Sequence, residues 1–471
     1  MGDRGMANQS EYDVAVLGAG IGGYASAIRA AQLGKKVALI EKDKVGGTCL
    51  NRGCIPTKTL LAASNILEMV GQAEEAGIHI GDVTVNFGEV MARKDNVVSR
   101  LAQGVRHLIK KNNIELIQGK GVIASKNRIR VVNPEGEETV VSAENIIIAS
   151  GSEEPKPSYA KVDEDTILTT RGALELKKCP QSLAVIGGGI IGVEFAVIFN
   201  TFGAHVEVLD ASPNLFPSLD VDIGRYYQRV LKRKGIRVHL NTEVKSACAN
   251  SDGKATVDAV ENGSPLKLTV EKALITDRRN PSSTGIGLEE IGVQTRDGFI
   301  VVDEHMRTSV PNIYAVGDVT GGKMYAHVAL AEGIVAAENI AGLGSSIDYK
   351  ATPVCMYCQP EVASIGLSEE EARQQGYQVA VGKFPLLANG RALTLGKTEG
   401  FAKIVCDKET EEILGVHLVA PHATEIIGEA ALAMQLECTS EEIGQLIHPH
   451  PSVSEALMEA AKAVTGKAIH F

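Results

Sequence analysis

Cys49 and Cys54 lie five positions apart in GGTCLNRGCIPTK, with Lys58 four residues further on. Thiols this close in sequence can form a staple, hold a metal or act as a redox couple. In a regular helix their Cα atoms would be about 8.6 Å apart, beyond the roughly 7 Å that a disulfide bridges. A working pair therefore needs irregular backbone, which Gly46, Gly47 and Gly53 allow. Zinc needs further ligands, and no nearby Cys or His supplies them. Two unlinked buried thiols remain the plain alternative. Near the other end, HPHPSVSEA brings together His448, His450 and Glu455. By themselves these suit a weak metal clip or an ordinary loop.

The elements around the thiol pair are legible. YDVAVLGAGIGGYASAIRAAQLGKKVALIEK reads as strand, glycine turn, helix and strand. The apolar run Val14 to Leu17 ends at Gly18, and Ala25, Ile28, Ala31 and Leu33 follow at helical spacing. Gly18, Gly20 and Gly23 have the G-x-G-x-x-G spacing, and Glu41 closes the second strand, placed to bond a ribose. Gly18 permits the turn, Gly20 lets backbone approach a pyrophosphate, and Gly23 brings helix and strand together. SLAVIGGGIIGVEFAVIFNTFGAHVEVLDAS repeats the unit with Gly187, Gly189, Gly192 and Asp210. Two complete units mean two dinucleotide sites. A carboxylate at Asp210 would repel a 2′-phosphate, which favours NAD at the second. A dithiol directly after the first unit suits a flavin, because a disulfide and a flavin are both two-electron couples.

Composition sets the outer limits. A chain of 471 residues that is 44% apolar suggests about three domains with real cores. A net charge of −11, few aromatics and no Trp argue against a nucleic-acid or anionic-membrane partner. Eight cysteines in so long a chain do not form a secreted disulfide framework, and MGDRGMANQSEYD shows neither a targeting signal nor a good myristoylation match. A cytoplasmic location is expected. Beyond the second unit, NIIIASGSEEP and TSVPNIYAVGDVTGG each read as a strand entering a turn. From about residue 346 the texture changes. FAKIVCDKETEEILGVHLV alternates like an antiparallel hairpin, and ATEIIGEAALAMQL has helical spacing.

With these motifs assembled, the chain resembles the pyridine nucleotide-disulfide oxidoreductases, in particular their dihydrolipoamide-oxidising members. The likeness runs from about Tyr12 to Ala461 through GAGIGG, GGTCLNRGCIPTK, GGGIIGVE, NIYAVGD, AHVALAEG, PEVASIGLSEEEA, LGVHLVAPHATEIIGEA and HPHPSVSEA. It implies an α/β fold of two Rossmann-like dinucleotide-binding domains plus a C-terminal α+β dimerisation domain. The implied boundaries are 1–150 for FAD, completed by 276–345, then 151–275 for NAD and 346–471 for dimerisation. It implies FAD on the first unit, with Thr48 and Gly121 along its adenosine side and Asp318 and Ala326 along its ribityl side. NAD would occupy the second unit, with Ile190 over the nicotinamide pocket and Val244 among its contacts. By the same resemblance Cys49 meets substrate, Cys54 faces the flavin, and Lys58 pairs with Glu194 beside the flavin edge. His450 becomes the acid–base residue, oriented by Glu455.

The implied reaction oxidises protein-bound dihydrolipoamide and reduces NAD. The implied partners are a second copy of the chain and the lipoylated domain of a 2-oxo acid dehydrogenase core or glycine-cleavage carrier. Asp210 and HPHPSVSE set the chain apart from glutathione and trypanothione reductases, and GKAIHF lacks the terminal cysteines of mercuric reductases. ITDRRNPSS places Asp277 where the family usually has glycine, so weaker NAD binding is expected; another FAD disulfide reductase, or a subunit that has lost turnover, is the alternative. Cys355 and Cys358 form a CxxC with no nucleotide turn before it, which fits coincidence.

Overall fold

A computed structural model describes residues 11–471. The stretch read for targeting and lipidation signals lies largely outside them. The chain forms two compact units. One comprises the described residues up to Thr59, Met91–Pro155 and Arg278–Asp348; the other comprises Leu60–Val90, Lys156–Asp277 and Tyr349–Phe471.

The first unit is built on a parallel sheet whose strands run in the order Glu115–Gln118, Val37–Glu41, Tyr12–Leu17, Glu138–Ile148 and Ile313–Ala315. Val14, Ala15 and Val16 are fully buried because helices and antiparallel strands cover both faces. Strand Glu138–Ile148 is long enough for two roles. Its first half pairs antiparallel with Arg128–Val132, and its second half pairs parallel with Tyr12–Leu17. The order reverses at Tyr12–Leu17, so the crevice for a ligand opens at the end of that strand, where Gly18 follows. Ile313–Ala315 comes from far along the sequence to complete this sheet.

The second unit repeats the arrangement with Arg237–His239, His205–Leu209, Ser182–Ile186, Lys272–Ile275 and Ile167–Leu168, all parallel. A three-stranded antiparallel meander, Thr242–Ala249, Ala255–Glu261 and Ser264–Val270, sits between the last crossover helix and Lys272–Ile275 in sequence. The C-terminal part is a five-stranded antiparallel sheet ordered Val354–Met356, Glu361–Gly366, Ile413–Ala420, Phe401–Asp407 and Val379–Pro385. The expected hairpin is its centre, but it is not a half-exposed one. Every residue of Ile413–Ala420 is buried, since helices Ala423–Gln435 and Glu455–Val464 pack against the sheet. Among the described residues no helix is long and apolar enough to cross a membrane.

Candidate active site

The two glycine turns are built alike. Gly18 adopts φ +107° and Gly187 φ +113°, values an L side chain rarely tolerates. A Cβ on Gly23 would lie 1.8 Å from the Gly18 carbonyl oxygen, and one on Gly192 would lie 1.9 Å from that of Gly187. The third glycine in each turn is therefore a packing requirement. Glu41 accepts from Ala19 N and Asp43 N, both at 2.7 Å. Asp210 accepts from Gly188 N at 2.5 Å and Ser212 N at 2.7 Å. Each carboxylate thus braces its own turn, using one lone pair of each oxygen and keeping another for a ribose hydroxyl. Helices Ile21–Gln32 and Ile190–Thr201 begin without a side-chain cap or an acidic residue in the first turn. Their first N–H groups are oriented as a pyrophosphate needs them. A Cβ on Gly189 would meet nothing within 4 Å, so backbone lies open to a ligand there.

The thiol pair is fastened to the first turn. A Cβ on Gly47, at φ +59°, would lie 2.6 Å from Gly20 Cα, and Gly46 N donates to Ala19 O at 2.8 Å. Backbone touches backbone, and only glycines permit it. Helix Gly47–Arg52 carries Thr48 and Cys49. It breaks at Gly53, where φ is −135° and ψ −110°, and helix Cys54–Gly71 starts at once. The irregularity that the cysteine spacing demands is this break. A Cβ on Gly53 would sit 3.3 Å from Cys49 Cα, so the glycine also makes room for the approach. Both cysteines are free thiols, with hydrogen bonding between their side chains. That bond to Cys54, then burial, pushes the Cys49 thiol well above its ordinary range, while the Lys58 charge opposes the rise. Lys58 is one helical turn beyond Cys54.

Other expected residues of the first unit are also placed. Asp318 lies in the turn Gly317–Thr320 and accepts a hydrogen bond from Ser152 Oγ. Burial raises its carboxyl above the usual range, against the Ser152 bond and the Arg279 charge. Arg279 Nε also donates to Ser152 Oγ at 2.8 Å and Nη1 to Glu154 at 2.8 Å, a network that sequence reading missed because its members lie far apart. Ser150 Oγ, buried beside this network in sequence, has no partner, which is the kind of polar atom a bound cofactor satisfies. Ala326 opens helix Ala326–Ile340, whose N-terminus has no side-chain cap. Gly121 serves packing, since a Cβ there would lie 2.5 Å from Leu17 Cδ1. The open turn, uncapped helices, ribose carboxylate and unpartnered Ser150 fit FAD.

In the second unit, Ile190 begins helix Ile190–Thr201. Glu194, 2% exposed, lies one turn on and accepts from Tyr357 N at 3.1 Å. Val244 lies beside a register shift in strand Thr242–Ala249. Asp277 accepts from Tyr159 OH at 2.6 Å; burial, then this bond and the Asp277 charge, hold the phenol well above its ordinary range. Cys355 is half-buried on strand Val354–Met356 and Cys358 fully buried after it. His450 Nδ1 lies 2.9 Å from Glu455 Oε1, and Ser452 N donates to Glu455 Oε2 at 2.8 Å. Burial raises the Glu455 carboxyl, but the Ser452 N–H and the His450 contact bring it below the usual range. With Nδ1 occupied by Glu455 and the side chain 79% exposed, Nε2 is the ring nitrogen left for proton transfer.

The model for the pyridine nucleotide-disulphide oxidoreductases matches residues 12–333, and that for their dimerisation domain matches 352–461. Dihydrolipoyl dehydrogenase of Bacillus subtilis is 42% identical over 472 residues, covering 98% of this chain and 100% of that one. The mitochondrial dihydrolipoyl dehydrogenase of Bos taurus is 41% identical, covering 98% and 92%. Among solved structures, LpdA from Mycobacterium tuberculosis has a TM-score of 0.89 at 27% identity, covering 95% of this chain and 98% of that one.

Proposed function

The chain belongs to the pyridine nucleotide-disulphide oxidoreductase family, and on that premise we propose how its residues oxidise dihydrolipoamide. It is an FAD- and NAD-dependent oxidoreductase of the dihydrolipoyl dehydrogenase type, with a dimerisation domain that supports a homodimer. The observation that carries the mechanism is the Cys49–Cys54 contact across the Gly53 break, on a loop fastened to the first glycine turn.

Catalysis starts with Cys49 and Cys54 joined as a disulfide. His450 Nε2 takes the proton of one dihydrolipoyl thiol, whose ordinary pKa near ~8.5 leaves it mostly protonated at neutral pH. The resulting thiolate attacks Cys49 Sγ, the disulfide breaks, and Cys54 leaves as a thiolate. The second dihydrolipoyl sulfur displaces Cys49 from the mixed disulfide, and its proton passes to the departing Cys49 sulfur. Lipoamide departs with its own S–S bond closed, and two electrons remain on the cysteine pair. FAD, when bound, supplies the two-electron relay between that pair and NAD. Lys58 and Glu194 are the charge pair beside the flavin edge, and Glu455 holds His450 in the tautomer that accepts at Nε2.

The substrate is carried on the lipoylated domain of a 2-oxo acid dehydrogenase core or glycine-cleavage carrier, and the enzyme works in the cytoplasm. The working domain division is 1–150 with 276–345, 151–275 and 346–471. Purified enzyme should be yellow and should couple dihydrolipoamide oxidation to NAD reduction. Two-electron reduction should add a long-wavelength absorbance from the Cys54 thiolate beside FAD. Cys54→Ser should abolish that absorbance, and Cys49→Ser should show it without reductant. Identical reduced spectra for both variants and wild type would sink the assignment. A yellow protein with no NAD-linked turnover would favour the subunit that has lost activity.

A further inference from the structure

His448 stands two residues before His450, and the reaction described above gives it no part. Its side chain is 3% exposed, against 79% for His450. Its Nε2 lies 2.9 Å from Glu429 Oε1, on helix Ala423–Gln435, and its Nδ1 lies 3.0 Å from Leu446 O. Both partners are acceptors. A neutral imidazole has one N–H, so one of these contacts would set lone pair against lone pair; the imidazolium donates to both. His417 shows the opposite case in the same unit. Its Nδ1 faces Ser364 Oγ at 2.7 Å, which can donate, and its Nε2 faces Leu367 O at 3.1 Å. That pair of partners suits the neutral ring, and burial lowers His417 below its ordinary range. For His448 the Glu429 bond outweighs burial and raises the ring, with the Leu446 carbonyl and the Glu429 and Glu455 charges adding to it.

The charges facing His448 are thus Glu429 from helix Ala423–Gln435 and Glu455 from helix Glu455–Val464, with His450 two residues away on its own loop. Glu455 is also the carboxylate that touches His450 and feels the charge of both rings. Glu429, His448, Glu455 and His450 therefore alternate in sign whenever His450 is protonated. We propose that the Glu429–His448 pair is a positioning device for the acid–base dyad. The fixed imidazolium keeps Glu455 ionised and aimed at His450 Nδ1, and it opposes a second positive charge on His450. His450 then meets the first substrate thiol as a neutral base and takes that thiol's proton at Nε2. The pair touches no substrate atom; it acts through Glu455 and His450.

This inference rests on the proposed dihydrolipoamide reaction, so its test has two arms. The first is the pH profile of kcat/KM for dihydrolipoamide with NAD, for wild type, His448→Asn, Glu429→Gln and the double variant. The second is NADH oxidation by ferricyanide, which needs no thiol proton transfer. Loss of the cation should make His450 easier to protonate. The acid limb should then move up by about half a pH unit, roughly a threefold loss of rate below the limb. Glu429→Gln should move it the same way, because a buried His448 without its carboxylate favours the neutral ring. The double variant should add little to either single change, and ferricyanide rates should stay near wild type. An acid limb that does not move, even with a lower rate, makes His448 a brace for the loop and overturns the proposal. A downward movement does the same. If His448→Asn does not fold, Glu429→Gln alone decides. A wild-type enzyme with ferricyanide activity and no dihydrolipoamide turnover would instead bring down the reaction itself, and this role with it.

Discussion

Asp277 stands where the resemblance leads one to expect glycine, and the structure shows where its carboxylate goes. It is held by Tyr159 OH at 2.6 Å, a donor kept protonated by its raised pKa. The preceding residue, Thr276, donates through Oγ1 to Gly187 O at 3.2 Å, so Asp277 is one residue from the second nucleotide turn. A charge fixed on a phenol is more benign than one free to face a dinucleotide's phosphates. Asp277→Gly should lower the KM for NAD without changing that for lipoamide. Tyr159→Phe, which frees the carboxylate, should raise it. One lost hydrogen bond of about 1 kcal/mol corresponds to roughly fivefold in each direction. Both variants should still prefer NADH to NADPH, because Asp210 is untouched. Steady-state kinetics with both coenzymes check this; NAD constants unmoved in both variants would show that the turn is indifferent to Asp277. The departure itself was legible in ITDRRNPSS, but its Tyr159 partner, 118 residues away, was not.

At the scale of elements, what the sequence disclosed was what local geometry determines. Glycines at Gly18, Gly20 and Gly23 with an acid at Glu41 define a strand–turn–helix–strand unit whose parts touch within thirty-odd residues, and the structure has it. Lys403 shows the other kind of feature. In FAKIVCD it reads as the polar face of a strand, yet its side chain is 2% exposed. Its Nζ lies 3.0 Å from Asp220 Oδ2, 3.1 Å from Asp222 Oδ2 and 3.0 Å from Glu369 Oε2. Asp220 is the N-cap of helix Val221–Arg233, accepting from Asp222 N at 3.0 Å, so one ammonium ties that helix to the C-terminal sheet. Removing it leaves carboxylates buried without their counter-charge, and Lys403→Met should cost about 3–5 kcal/mol. Burial raises both carboxyls, but His417 and then Lys403 take Asp220 below the ordinary 3.8, and Lys383 and Lys403 do the same for Asp222. Their share of stability is present above that value and is lost as pH falls through the lower folded-state values. For Lys403, burial lowers the ammonium but the carboxylates raise it above 10.5; its share is present below 10.5 and is lost as pH rises past the folded value. The gap between wild type and Lys403→Met in urea unfolding should therefore be constant from about pH 5 to 9 and close as pH falls through the lowered folded-state values of Asp220 and Asp222. A gap that varies within the plateau would mean that another group controls the cluster.

At the scale of the whole molecule the question is where His450 works. Ile447 is 94% exposed, Leu446 51%, Leu436 66% and Leu432 62%, an apolar surface around the histidine loop in the region matched by the dimerisation model. Two-fold pairing of such a surface would carry each exposed His450 toward a second chain. If it reaches the partner's Cys49, a dimer has two composite sites, each drawing its thiols from one chain and its base from the other. Cys49→Ser and His450→Gln should each be inactive alone, by roughly 10²–10⁴-fold or more where proton transfer is lost. Let their subunits exchange, with exchange verified by a mass tag. In a mixed dimer one composite site has both residues intact and the other has neither, so activity should return toward half the wild-type rate per mixed dimer. If each His450 instead serves its own chain's Cys49, every site in the mixed dimer lacks one residue. A tagged, fully exchanged and inactive mixture would therefore place the base and the thiols in one chain, and the dimer would then be needed for stability alone.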